Sequence, residues 1–332
     1  MKIYITMPAG VIRDSFITPN ARRAIEKSGE VSCNPYDRQL TREELKNVMK
    51  DADVLITGWG TEMLTADLFL SADKLKIVAH TGGSVGNLVD GAVYEKGIRV
   101  LSGNNVYAKS VAEGCLCYTI SALRQTEIYI NVMRNGGWKD DSSKNRGLIG
   151  KRVGLVGFGA IAKYFVEMLR LFHTEVLVYS SYLTNEEAEN CGVELSAIDT
   201  IFETCDVISL HSGLTEKTTG MINKELLKKI KDGALLVNTA RGALMDETAL
   251  IEELKTGRFM AALDVYTEEP LAIDSPLRTM QNVLPMPHMG GPTIDMREEV
   301  ALTLAEDIKR FINGQPLINE IEAEHSLRMT KH

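Results

Sequence analysis

Three runs in the second half of the chain carry side chains suited to acid–base and carboxylate chemistry. They are Val237-Asn238-Thr239-Ala240-Arg241-Gly242, Leu263-Asp264-Val265-Tyr266-Thr267-Glu268-Glu269-Pro270 and Val283-Leu284-Pro285-Met286-Pro287-His288-Met289-Gly290-Gly291. Arg241 offers a planar fork of donors that can hold a carboxylate and polarise the oxygen on the adjacent carbon. A lysine would lack that fork. Imidazole has the unperturbed pKa nearest neutrality, so His288 can take a hydroxyl proton during oxidation and return it during ketone reduction. A carboxylate beside the ring, Glu269 with Glu268 as its rival, would orient it and favour imidazolium. Together these groups suit hydride movement at C2 of a 2-hydroxy or 2-oxo acid. Each also has a plainer reading: an arginine after a strand at the surface, a glutamate in a solvated turn, a Pro-His pair closing a loop.

Such chemistry needs a hydride carrier, and the run Val153-Gly154-Leu155-Val156-Gly157-Phe158-Gly159-Ala160-Ile161-Ala162 supplies a place for one. It reads as an apolar strand, a glycine turn and a helix start. In this reading Gly154 allows the turn and Gly157 lets the backbone approach a pyrophosphate. Gly159 opens a helix whose free amides face the anion. Ala162 stands in for the third fingerprint glycine. Phe165, Met168, Leu169 and Phe172 continue at helical spacing, which lifts the run above an isolated glycine pattern.

The elements that must position these residues alternate along the chain. Before the glycine run, β-branched stretches recur at 2–6, 53–57, 76–80 and 98–101. After it they recur at 175–179, 206–210, 234–238 and 261–265. Helix-like segments separate them, so two α/β domains with doubly wound parallel sheets are expected. In an open parallel sheet the ligand crevice lies beyond the carboxyl ends of the strands, which would bring Arg241 and Glu269 to a common site that His288 completes. A long apolar helix is expected over 110–134, ended by Asn135-Gly136-Gly137. A last helix is expected at about 293–313 and could return to the first domain, which periodicity alone does not decide.

At this point the chain resembles the D-isomer-specific 2-hydroxyacid dehydrogenase family. The resemblance rests on Val111-Ala112-Glu113, the glycine run, His211 through Thr219, the Arg241, Glu269-Pro270 and Pro287-His288 runs, and their order. It implies a Rossmann cofactor domain, 102–292, inserted in a discontinuous flavodoxin-like substrate domain, 1–101 and 293–332, with a cleft between them and a homodimer. It also implies that the catalytic carboxylate is Glu269, directly before the proline. Gly157, Phe158, Gly159, Ala160, Ile161, Ser180, Ser181, His211, Thr239, Ala240, Arg241, Asp264 and His288 would line the cofactor. The amides of Gly83, Ser84 and Val85 would take the substrate carboxylate, alongside Arg241 and His288.

Some positions depart from the family pattern. After the second cofactor-domain strand the chain has Tyr179-Ser180-Ser181-Tyr182, with neither an acid for a ribose 2′-hydroxyl nor an arginine for a 2′-phosphate. NAD is preferred because the cation is missing, and NADP stays open. Ser212-Gly213 replaces a usual proline after His211, which would loosen that loop, and His211 reads as structural because His288 fills the acid–base role. The Gly58-Trp59-Gly60 loop carries an aromatic where a phosphorylated substrate would want a cation. Trp59 either lines the substrate site or covers a core edge. Glu269 argues against formate oxidation, for which the family uses glutamine.

Bulk properties narrow the classes further. The 332 residues are 44% apolar and 25% charged, and 37 Lys plus Arg against 45 Asp plus Glu give a net charge of −8. That balance argues against nucleic acid or anionic membrane as partner. The apolar start ends at Pro8 and Gly10, so it reads as a first strand rather than a signal peptide, and no segment approaches a membrane span. Cys33, Cys115, Cys117, Cys191 and Cys205 are scattered and read as cytosolic buried thiols, and no His/Cys spacing suggests a metal. The competing class is a dinucleotide-sensing scaffold or corepressor of the same fold, since fold alone does not settle function.

Overall fold

The apolar runs form two all-parallel sheets in a computed structural model that describes residues 1–141, 143–327 and 329. Each sheet belongs to its own compact unit, unit 1 comprising 1–108 with 292–332 and unit 2 comprising 109–291. Unit 1 holds β1 (Lys2–Ile5), β2 (Glu30–Cys33), β3 (Val54–Thr57), β4 (Ile77–His80) and β5 (Arg99–Ser102), in the order β2-β1-β3-β4-β5. The central strands β3 and β4 are buried along their whole length, as helices on both faces require. Helix Arg297–Ile312 packs on helices Val11–Phe16 and Pro19–Glu26 through Val300, Leu304, Ala305 and Ile308. The two chain ends therefore share one core.

Unit 2 holds β6 (Arg152–Val156), β7 (Glu175–Tyr179), β8 (Glu194–Leu195), β9 (Val207–Leu210), β10 (Leu235–Asn238), β11 (Met260–Leu263) and β12 (Val283–Pro285), in the order β12-β11-β10-β9-β6-β7-β8. The strand order reverses between β6 and β9, so the loops leaving those strands diverge and open a crevice at their carboxyl ends. Unit 1 has the same feature between β1 and β3.

Three expectations are corrected. Of the five thiols expected to be buried only Cys115 and Cys205 are, while Cys33 and Cys191 are half-buried and Cys117 is exposed. The helix expected over 110–134 is two helices, Asn104–Leu123 and Thr126–Arg134, because Gln125 takes a left-handed conformation with φ 53° and breaks the hydrogen-bond ladder. Gly154 does not make the glycine turn. It lies inside β6, where an added Cβ would stand 2.3 Å from Ile201 Cγ2 and 2.9 Å from Cys205 Sγ. Its role is close packing of the strand against helix Ile198–Thr204. Among the described residues no helix is long and apolar enough to cross a membrane.

Candidate active site

In unit 2 the turn after β6 belongs to Gly157. Its φ is +96°, its amide donates to the Tyr179 carbonyl at 2.8 Å, and an added Cβ would stand 2.6 Å from the Ser212 amide nitrogen. Only glycine fits that turn. Gly159 then caps helix Ala160–Leu169 with no side-chain hydrogen bond and open space where a Cβ would be, so the first amides of the helix are open to an anion. Phe158 and Ile161 anchor the turn by packing on the core below it, and Ala160 is the first helical residue. This cradle fits a dinucleotide pyrophosphate.

The flanking loops are tied down. Ser212 does not loosen its loop: its hydroxyl donates to the Val156 carbonyl at 3.1 Å and fastens the segment after β9 to β6. His211 Nε2 lies 3.0 Å from Ser209 Oγ, its ring stands 5.5 Å from that of Phe165, and burial pushes its pKa down to about 4. The ring is thus held neutral against the end of β9 and helix Ala160–Leu169. After β7, Ser180 Oγ accepts from the Tyr182 and Leu183 amides, both at 3.2 Å, while Ser181 is exposed.

The loop after β10 presents Arg241. Asn238 shapes it, accepting from the Ala240 amide at 3.0 Å and donating to the Arg241 carbonyl at 2.9 Å. Thr239 is buried beside the Cys115 thiol, which burial pushes up to about 11. Gly242 presses this loop against the next one, since an added Cβ would lie 1.9 Å from the Tyr266 carbonyl carbon. Burial draws the Arg241 pKa down, the charge on Glu269 opposes that shift, and the guanidinium stays cationic.

Asp264, following β11, is buried, and burial raises its pKa against the pull of two amides. Its oxygens accept from the backbone N–H groups of Met289 and Gly290, both at 2.7 Å. Those amides directly follow His288, so Asp264 fixes the backbone that carries the histidine, whose φ is 56°. Gly290 is required there because a Cβ would lie 2.7 Å from the Asp264 carboxylate. Glu269 Oε1 accepts from the Tyr266 amide at 3.0 Å, and its Oε2 stands 2.6 Å from His288 Nδ1. The pair holds Nδ1 as a donor and leaves Nε2 for proton exchange. The Glu269–His288 pair borders a cavity of about 620 Å³ also lined by Tyr266, Leu271, Arg278 and Met286.

Within unit 2 the structure thus places Arg241, Asp264, Glu269 and His288 on the loops after β10, β11 and β12. The sequence reading did not single out Asn238, Gly242 or Gly290, whose signal was only that polar or small residues adjoin the candidates. Trp59, Gly83, Ser84 and Val85 belong to unit 1, on the loops after β3 and β4. Trp59 is 42% exposed, Val85 is buried, and Ser84 Oγ accepts from the Gly86 amide at 3.2 Å.

The model of the D-isomer specific 2-hydroxyacid dehydrogenase NAD binding domain matches residues 116–290, more than half of the chain. The chain belongs to the D-isomer specific 2-hydroxyacid dehydrogenase family. It is 37% identical over 319 residues to a D-3-phosphoglycerate dehydrogenase of Methanocaldococcus jannaschii, an alignment covering 95% of this chain and 58% of the relative. The chain therefore spans little more than half the length of that protein. It is 35% identical over 272 residues to a hydroxypyruvate reductase of Thermotoga maritima, covering 81% of this chain and 88% of that one. Among solved structures, a Pyrococcus horikoshii OT3 protein superposes with a TM-score of 0.81 at 25% identity, covering 98% of this chain and 96% of its own. The two parallel-sheet units are those of this 2-hydroxyacid dehydrogenase family.

Proposed function

We propose that this family member is an NAD(P)-dependent D-2-hydroxyacid dehydrogenase that works as a 2-oxoacid reductase, with unit 2 binding the cofactor and unit 1 the acid. The observation that carries the reading is the 2.6 Å pairing of Glu269 with His288 in the same unit as the Gly157 cradle. The names of the relatives support a small 2-oxo or 2-hydroxy acid as substrate class.

Gly157, Phe158, Gly159, Ala160 and Ile161 would hold the pyrophosphate, with Ser180 and Ser181 at the ribose and Thr239, Ala240 and Asp264 near the nicotinamide. When bound, the nicotinamide supplies or receives the hydride at C2. Arg241 holds the substrate carboxylate and polarises the C2 oxygen, and in unit 1 the amides of Gly83, Ser84 and Val85 are the proposed carboxylate contacts. His288 Nε2 gives its proton to the C2 oxygen in reduction and takes it back in oxidation. Glu269 keeps the ring oriented through its contact with Nδ1. NAD is the preferred carrier because no arginine follows β7.

A cytoplasmic homodimer completes the reading. Ile130, Met133 and Trp138, on and just after helix Thr126–Arg134, are exposed apolar residues of the kind a second copy would cover. The full set of Arg241, Glu269 and His288 favours an enzyme over a dinucleotide-sensing scaffold. The test is absorbance of NADH and NADPH with glyoxylate, hydroxypyruvate, pyruvate, branched and aromatic 2-oxo acids and phosphohydroxypyruvate. Oxidation of a cofactor by one acid class supports the proposal, and tight dinucleotide binding with no turnover on any acid counts against it.

A further inference from the structure

Unit 1 carries a cation that the reaction described so far does not use. Arg297 opens helix Arg297–Ile312, and its guanidinium lies 5.5 Å from the Trp59 ring centroid and 5.7 Å from that of Phe16. Nη1 donates to Ser15 Oγ at 3.2 Å, and Nε is buried with no hydrogen-bond partner. Among the described residues no carboxylate lies within ion-pairing distance of it, whereas Arg38, Arg42, Arg99, Arg152 and Arg258 all have acid partners. The acids adjoining it in sequence are engaged elsewhere, Asp295 by Thr293 and Glu298 by Asn20 and Thr18. A partly buried guanidinium with spare donors and no counter-charge is costly unless an anion joins it.

Its position says which anion. Trp59 follows β3 and Ser15 and Phe16 follow β1, the two strands at which the unit 1 sheet reverses order, where open parallel sheets take their ligands. Trp59 meets Tyr107 edge-on at 6.3 Å, and Tyr107 in turn packs on Gly83, where an added Cβ would stand 3.4 Å from the ring. Arg297 is thus linked through Trp59 and Tyr107 to the loop assigned to the substrate carboxylate. We propose that Arg297 is a specificity-determining residue that binds a second anionic group, carboxylate or phosphate, on the chain of the 2-oxo acid. Trp59 and Phe16 hold the guanidinium flat by cation–π contact so that its remaining N–H donors face that group. The cation missing from the Gly58-Trp59-Gly60 loop is then supplied from the far end of the chain.

This inference rests on the hydride-transfer reading, and the test separates the two. The value of kcat/KM is compared for phosphohydroxypyruvate, oxaloacetate and hydroxypyruvate in wild type, Arg297→Met and Arg297→Lys. The ratio of an anionic acid to hydroxypyruvate is expected to fall at least tenfold in Arg297→Met and to recover in part in Arg297→Lys. Whichever acid shows the fall, phosphorylated or dicarboxylic, identifies the anion. An unchanged ratio, including an equal loss on all three acids, overturns the proposal and makes Arg297 a prop for Trp59. If wild type reduces none of the acids, hydride transfer fails and binding decides for Arg297. Trp59 emission in a Trp138→Phe background is then titrated with inorganic phosphate and with malonate. A response abolished by Arg297→Met supports the site, and no response overturns it.

Discussion

At the residue scale the proposed chemistry depends on how few freedoms His288 retains. Its ring is set by Glu269 and its backbone by the two amides that end on Asp264. Replacing His288 with Asn removes the proton donor and is expected to lower kcat for 2-oxoacid reduction by roughly 10²–10⁴-fold with dinucleotide affinity retained, as read by steady-state rates and cofactor titration. Asp264→Asn acts differently. An amide side chain can accept only one of the two N–H groups and turns its own donors on the other. We expect a loss of about 1–3 kcal/mol in unfolding free energy by denaturant titration, and a fall in kcat through a displaced His288. Arg241 and Glu269 stood out in sequence because their types are chemically distinctive and each follows an apolar strand-like run, and His288 because of its type and its order behind them. Arg297 was not, because its neighbours Ser15, Phe16 and Trp59 come from the other end of the chain and only the fold brings them together.

At the element scale, packing of one loop on another holds the site. Gly242 lies against the backbone of Tyr266 and Thr267, too close for any side chain. Gly242→Ala must therefore part the Arg241 loop from the Glu269 loop. Its kcat/KM is expected to drop by about 10²-fold or more, as misplacement near 1 Å does elsewhere, along with a lower melting temperature. The sequence pattern revealed the buried strands with their unbroken apolar runs but passed over β2, β8 and β12. β2 is a partly exposed edge strand, β8 has two residues, and β12 ends in proline. Edge strands need less burial, so their hydrophobic signal is weak. The break at Gln125 was equally hidden, since nothing in an apolar helical run marks a single left-handed residue.

At the scale of the whole molecule, each unit buries a neutral histidine at a strand end. His80 Nδ1 lies 2.9 Å from Thr57 Oγ1 in unit 1, and burial pushes His80, like His211 in unit 2, down to about 4. The unfolded chain takes up these protons near pH 6.5, before the folded one does. Stability from this source is therefore complete above about pH 6.5, falls as pH drops toward about 4, and changes no further below that, each site contributing on the order of 3 kcal/mol. Thermal unfolding followed between pH 7.5 and pH 4.5 should show the loss, and His80→Asn should reduce its steepness; an identical pH slope in wild type and variant would contradict the assignment. The two β-branched series flanking one glycine run made two α/β units legible, whereas periodicity carried no signal for the return of the carboxyl-terminal helix, because an apolar face does not say which core it packs on. The central claim is that hydride reaches C2 of a 2-oxo acid on one face under the control of Arg241 and His288. Its most direct test is reduction by nicotinamide cofactor deuterated at C4, followed by chiral analysis of the product. The account predicts deuterium at C2 of the D-isomer, with His288→Asn nearly abolishing its formation. Product of the L-configuration, or the same yield from the variant, would contradict it.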